Sequence, residues 1–142
     1  MAAVNDLNEV LERFHLGQGE LVKGNPEPCK KLFSHRDDVT LNNPLSPTAR
    51  GWHQVADTID RAASSFRDGE LVSADIIQMH VTTDLAYVVE QERGRAKVRG
   101  KEGPWALRVT MIFRLEEGTW KIVHRHADPI STEQPAESVI QN

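Results

Sequence analysis

The hydrophobic pattern of the chain changes its period near residue 70. Before that point apolar residues recur at the three- and four-residue spacing of amphipathic helices. After it they fall in segments rich in Val, Ile, Thr and aromatic residues, which are typical of strands. Helices first and strands second favour an α+β fold, in which helices cover one face of a curved antiparallel sheet.

Two long helices and a short one are predicted in the first half. The first begins near residue 5, ends at the Gly24-Asn25-Pro26 breaker, and carries an apolar face formed by Leu7, Val10, Leu11 and Phe14. A short helix is predicted over 28–33. The other long helix is predicted to run to the Asp68-Gly69 stop, with an apolar face formed by Trp52, Val55, Ala56, Ile59, Ala63 and Phe66.

The second half predicts a meander of four long strands, at about 70–82, 84–93, 104–115 and 119–127. A shorter strand, 39–42, precedes the second long helix. The fold class expected is therefore α+β.

Composition excludes several classes of function. The 142 residues include 17 Lys plus Arg against 21 Asp plus Glu, so a nucleic-acid partner is not expected. The longest apolar run, 85–89, is far shorter than the roughly 20 residues of a membrane span, so no membrane association is expected. The single cysteine, Cys29, cannot form an internal disulfide, and a cytoplasmic location is expected.

The last hairpin can be placed in register from its turn, Glu117-Gly118. Regular pairing places residues of one strand opposite residues of the other on the same face: in order, Leu107, Val109, Met111 and Phe113 opposite Asp128, His126, His124 and Ile122. Alternation then directs His124 and His126 toward the helices, and it puts Arg108, Arg114 and Arg125 on the other face.

Polar groups on a buried face need partners, because an unpaired one costs roughly 1–3 kcal/mol. His124, His126 and Asp128 therefore either line a polar cavity or are hydrogen-bonded within the core. In a cavity they are candidates for acid–base catalysis, since imidazole titrates near neutral pH. The same three residues could form a metal triad, but we expect no metal and no cofactor.

Several motifs resemble those of the SnoaL-like branch of the nuclear-transport-factor-2-like, ketosteroid-isomerase-like superfamily. They are Val39-Thr40-Leu41-Asn42-Asn43-Pro44, Gly51-Trp52, Gly118-Thr119-Trp120 and the strand from Trp120 to Asp128. The resemblance covers about residues 5–130, so we expect one domain over 1–130 and a flexible tail over 131–142. It implies a cone-shaped α+β barrel, a strongly curved sheet wrapped around the helices with a ligand cavity in its mouth, that usually dimerises through the sheet.

Two departures from the isomerases stand out. The position resembling their general base, immediately before the proline, is Asn43, and Phe14 stands near the place of their oxyanion-binding tyrosine. An amide cannot accept a substrate proton as a carboxylate does. SnoaL-like cyclases resemble this chain in offering an acid or base near the end of the sheet, which implies catalytic roles for His126, His124 and Asp128.

The remaining site prediction concerns binding. We expect a small apolar carbonyl compound, held by Asn43, Trp52, Tyr87, Trp105 and Met111. Two functions stay open: an isomerase, cyclase or dehydratase, and a non-catalytic ligand-binding or association module. We also expect a homodimer built on the sheet face away from the helices, with Arg108, Arg114 and Arg125 near its rim.

Overall fold

The computed structural model describes residues 2–141, and it describes side chains over 6–141. This part of the chain contains the helices α1 (Ala2–Leu21), α2 (Glu27–Lys30) and α3 (Trp52–Ser64). Its strands are β1 (Thr40–Asn42), β2 (Ala49–Arg50), β3 (Phe66–Val81), β4 (Leu85–Val98), β5 (Lys101–Glu116) and β6 (Thr119–Asp128). Beyond β6, a single 3-10 turn, Ala136–Val139, is exposed.

The strands form one sheet in the order β2-β1-β6-β5-β4-β3. Neighbours pair antiparallel except β1 and β6, which run parallel. The predicted α+β class is confirmed, as a curved and unclosed sheet with the helices on one side. No helix in the described residues is long and apolar enough to cross a membrane.

The helices pack on the sheet through the apolar faces that the spacing predicts. Leu7, Leu11 and Phe14 of α1 are buried, as are Val55 and Ile59 of α3. The inner face of the sheet supplies the other half of this core, with Val88, Val109, Met111, Phe113 and Ile122. Burial of these side chains accounts for the position of the helices over the sheet.

The predicted end of α3 is wrong. The helix ends at Ser64, and Phe66 already pairs with Val98 in β3. The Asp68-Gly69 pair forms an irregularity within β3, where the Gly69 amide donates to the Val22 carbonyl at 3.1 Å. A Cβ at Gly69 would lie 2.6 Å from that carbonyl oxygen, so glycine is required here by close approach to the chain after α1.

The register predicted for the last hairpin holds only near its turn. Glu117 and Gly118 have positive φ, as the turn requires, and Phe113 pairs with Ile122 as predicted. The next pair is Ile112 with His124, so Val123 is an extra residue in β6 and forms a bulge. Beyond Val123 every side chain of β6 lies on the opposite face from the predicted one.

Candidate ligand cavity

A cavity of about 230 Å³ lies between the helices and the inner face of the sheet. Its walls are mostly apolar and come from α1, α3, β3, β5, β6 and the segment after β1, including Phe14, Ile59, Phe66, Trp105 and Leu107. Its polar lining consists of Gln18, Cys29, Asn43 and Arg125. A mostly apolar wall with a few convergent polar groups is typical of a small-molecule site.

Arg125 is the charged group of the lining. The Val123 bulge turns it inward, opposite Met111, and only 5% of the residue remains exposed. Its Nη1 and Nη2 atoms donate to the two carboxylate oxygens of Glu92, at 2.9 and 3.0 Å. Nη1 also contacts the Met111 sulfur at 3.6 Å, and the guanidinium lies 4.9 Å from the centre of the Phe14 ring.

Glu92 is fully buried on the inner face of β4. Burial is the largest single effect on this carboxyl and opposes its ionisation, but the charge and hydrogen bonds of Arg125, together with the neighbouring Glu90 and His15, outweigh burial and lower the pKa of Glu92. The Gln18 amide adds a further hydrogen bond, from Nε2 to Glu92 at 3.2 Å. The ion pair is therefore held by hydrogen bonds as well as by charge.

Gln18 connects this ion pair to the lone cysteine. Its Oε1 atom accepts a hydrogen bond from the Cys29 thiol at 3.5 Å. Burial raises the pKa of Cys29 to about 12, and the nearby charge of Arg125 opposes that effect only in part. The thiol is therefore protonated at neutral pH and acts as a hydrogen-bond donor rather than a nucleophile.

A second buried carboxylate lies two residues before Glu92 on the same face. Glu90 is fully buried, and its two carboxylate oxygens lie 2.9 and 3.1 Å from His15 Nε2. Burial raises the pKa of Glu90, while the hydrogen bond to His15 opposes the rise. Neither Glu90 nor His15 lines the cavity.

The predicted placement of His124, His126 and Asp128 in the cavity is wrong. The bulge puts all three on the outer face, opposite Ile112, Thr110 and Arg108 respectively. The predicted outward orientation of Arg125 is wrong for the same reason.

The three outer-face residues bind their neighbours there. His124 Nδ1 lies 2.7 Å from the Thr40 hydroxyl, and burial together with the charge of His126 lowers the pKa of His124. His126, half-exposed, has Nε2 at 3.4 Å from Asp128, whose carboxylate accepts from Arg108 Nε at 2.7 Å. These residues therefore form a surface polar group on the sheet.

The five residues predicted to bind substrate divide between four places. Asn43 and Trp105 line the cavity. Met111 is buried beneath Arg125 on the inner face. The Trp52 ring stacks on His35 at 3.8 Å, and Tyr87 lies on the outer face against His80, so neither of these two lines the cavity.

Trp105 carries a polar group that the protein leaves unpaired. Its indole Nε1 is buried and has no hydrogen-bond partner among the described residues. A buried N–H without an acceptor is uncommon, because it costs roughly 1–3 kcal/mol. The lining therefore contributes an unused donor in addition to its amides.

The polar side of the cavity was missed at the sequence level, although part of it had a signal. Gln18 follows Phe14 by four residues and so continues the apolar face of α1. Glu90 and Glu92 continue the alternation of Ala86 and Val88 along β4. The inward position of Arg125 had no such signal, because it depends on the bulge.

Solved structures with this fold carry different functional descriptions. A candidate dehydratase of the NTF2-like family from Streptomyces avermitilis superposes with a TM-score of 0.76 at 18% identity, over 92% of this chain and 98% of that one. A ketosteroid isomerase-like protein from Erwinia carotovora atroseptica superposes with a TM-score of 0.75 at 16% identity, over 90% of this chain and 96% of that one. A candidate calcium/calmodulin-dependent protein kinase type II association domain from Thiobacillus denitrificans superposes with a TM-score of 0.70 at 19% identity, over 84% of this chain and 91% of that one.

At these identities the likeness shows the fold and leaves the activity open. No curated protein sequence gives a significant match to the chain. A family model, by contrast, matches most of it, residues 19–130, and its description is "SnoaL-like domain". This chain belongs to the SnoaL-like domain family.

Proposed function

We propose that the cavity binds a small, largely apolar molecule and receives a carbonyl oxygen of that molecule at Gln18 and Arg125. The observation that carries this proposal is the pair of buried donors, Gln18 and Arg125, in a mostly apolar lining. A buried donor that meets an acceptor contributes to affinity, whereas the apolar walls supply the burial.

The size of the cavity limits the ligand. A dry apolar cavity of about 150 Å³ accepts benzene. At about 230 Å³, this cavity has room for a benzene ring with short substituents. Three probes follow from that size. They are para-isopropylacetophenone, the smaller hydrocarbon para-cymene, which has a methyl group in place of the acetyl group, and para-isopropylbenzoate, a carboxylate of nearly the same shape as the ketone.

The polar groups of the lining favour binding over proton transfer. Gln18 and Asn43 are amides, Arg125 keeps its proton, and the Cys29 thiol has a raised pKa. None of these side chains accepts a proton readily near neutral pH. Ligand binding without turnover is therefore the function that the geometry supports best.

Acid–base conversion of the carbonyl compound is the second candidate. The observation in its favour is the Glu90 carboxylate, whose pKa is raised and which is buried with His15 two residues from Glu92 on the inner face. Proton exchange separates the two functions. In heavy water, catalysis would exchange the α-protons of para-isopropylacetophenone for deuterium faster than buffer does, and Glu90→Gln would abolish the excess.

The test of binding uses calorimetric titration with the ketone and para-cymene. We expect the ketone to bind at least about tenfold more tightly, because its acetyl group adds both a hydrogen-bond acceptor and one more buried carbon. Ala62→Phe should block binding of both, because Ala62 lines the cavity. Ala56→Phe is the matched control on the same helix, away from the lining. Equal binding by wild type and the Ala62 variant would contradict the proposal.

A homodimer through the outer face of the sheet is also part of this proposal. That face exposes Tyr87, at 39%, beside the partly exposed Ile112 and Val89. Arg108 and Arg114 lie on the same face, where Asp128 and Asp38 pair with them. An apolar centre with paired charges around it is a common composition for a subunit interface. The relationship in fold to a candidate association domain adds support.

A further inference from the structure

The charge of the ligand depends on how the charge of Arg125 is balanced. Arg125 is the one cationic side chain of the described lining, and taken alone it would attract an anion. Both of its terminal nitrogens, however, already bind Glu92. The lining therefore presents a guanidinium whose charge is neutralised inside the protein.

The donors that remain suit an uncharged acceptor. A guanidinium has five N–H groups, and three of those of Arg125 are directed to Glu92 and Met111. The Gln18 amide likewise uses one N–H on Glu92 and keeps the other. A neutral carbonyl can accept from these donors without disturbing the ion pair.

A carboxylate ligand would meet a different situation. It would bring a further negative charge beside Glu92 and within the same buried group as Glu90, with no second cation in the described lining. It could accept from the N–H groups of Arg125 that Glu92 leaves free, but two buried carboxylates would then share the charge of one guanidinium. Repulsion between like charges is strong where water is excluded.

We infer that Glu92 determines the charge specificity of the cavity, so that the protein accepts a neutral carbonyl compound and rejects the carboxylate of the same shape. This inference rests on the proposed function, since it names the substrate class of the same cavity. Glu92 acts through Arg125 and is not itself part of the lining. Its removal frees the charge of Arg125 for an anionic ligand.

The first experiment needs no variant. Wild-type protein is titrated near neutral pH with para-isopropylacetophenone and with para-isopropylbenzoate, which differ in charge but hardly in shape. We expect the ketone to bind at least about tenfold more tightly. Equal binding, or preference for the benzoate, would overturn the inference.

The second experiment tests whether removing the charge of Glu92 shifts the preference from the ketone toward the benzoate. Glu92→Gln keeps the volume of the side chain and removes its charge, so the benzoate should gain at least about tenfold in affinity while the ketone changes little. Glu90→Gln is the comparison variant, because it removes a carboxylate two residues earlier on the same face but no hydrogen bond to Arg125, so it should change the ketone-to-benzoate ratio less than Glu92→Gln does. An unchanged ketone-to-benzoate ratio in Glu92→Gln would contradict the inference.

A double variant, Glu92→Gln with Arg125→Gln, removes both charges together. It should not gain affinity for the benzoate, because the gain depends on a freed guanidinium. If Glu92→Gln does not fold, the wild-type comparison still tests the inference, because preference for the benzoate would overturn it. Failure of the proposed function has a separate signature, because then neither the ketone nor para-cymene binds to the wild-type protein.

Discussion

Arg125 and Glu92 lie on strands that are not neighbours, yet their side chains form a bidentate ion pair. Arg125 is on β6 and Glu92 on β4, and β5 runs between them. The guanidinium crosses above Met111 on β5 and reaches the carboxylate at 2.9 and 3.0 Å. The pair therefore ties three strands together at the polar side of the cavity.

Breaking this pair should cost far more stability than replacing it. We expect Arg125→Met and Glu92→Met to lower the free energy of unfolding by about 3–5 kcal/mol each, because each leaves a buried charge without its partner. The double variant should recover most of that loss. Urea unfolding of the four proteins measures the coupling, and additive losses would show that the two side chains do not act as a pair.

Glu90 should make stability depend on pH in the direction opposite to an ordinary paired carboxylate. Because burial raises the pKa of Glu90, its contribution to stability is complete below the usual carboxyl pKa of 4.5 and is lost as pH rises through the higher folded value. Wild type should therefore lose stability relative to Glu90→Gln as pH rises above the usual carboxyl pKa of 4.5. Urea unfolding at a series of pH values measures the difference.

The matched control for that series is Glu133→Gln, at an exposed position in the C-terminal segment. Its stability should stay close to that of wild type, because an exposed side chain has few contacts to lose. A difference between wild type and Glu90→Gln that does not change with pH would mean that Glu90 titrates alike in the folded and unfolded protein.

The homodimer can be tested by placing a charge on the outer face. Ile112 lies there between Tyr87 and His124, so Ile112→Lys should convert a dimer to a monomer by burying an unpaired charge at the interface. Light scattering coupled to gel filtration gives the mass. Leu16→Lys, at an exposed position on α1, should leave the mass unchanged. A monomeric wild-type protein at high concentration would rule out the interface.

His126 and Gln18 should have unlike effects on ligand binding. The His126 ring lies on the outer face, so His126→Gln should leave the affinity for para-isopropylacetophenone within about twofold of wild type. Gln18→Leu removes a donor from the lining, so it should weaken binding of the ketone by about two- to tenfold without weakening binding of para-cymene. Calorimetric titration measures both affinities. A large loss of affinity in His126→Gln would show that this imidazole takes part in ligand binding.

Much of the fold could be predicted because its signals are local. The apolar spacing of Leu7, Leu11 and Phe14 defines one helix face, and Glu117-Gly118 defines a turn whose backbone φ values are both positive. Each signal lies within one element. The end of α3 was misjudged because Phe66 continues the helical spacing, whereas its backbone pairs with Val98, which is distant in sequence.

The site was harder to predict because one residue decides it. Nothing in the residues around Val123 marks a bulge, since none of them is glycine or proline. Pairing counted from the turn therefore held through Ile122 and failed at His124. The pairing of β6 with β1, which sets Thr40 beside His124, also joins segments too far apart in sequence for a local pattern to indicate it.

The bulge has a consequence for how relatives of this protein should be aligned. Deleting Val123 would leave every later residue of β6 opposite its present partner, because Val123 itself has none across the hairpin. A relative with a regular final strand is therefore matched correctly only with a one-residue gap at this position. Without that gap, the outward imidazoles of this chain would be equated with cavity residues of the relative, and its acid–base chemistry would be transferred to the wrong side of the sheet.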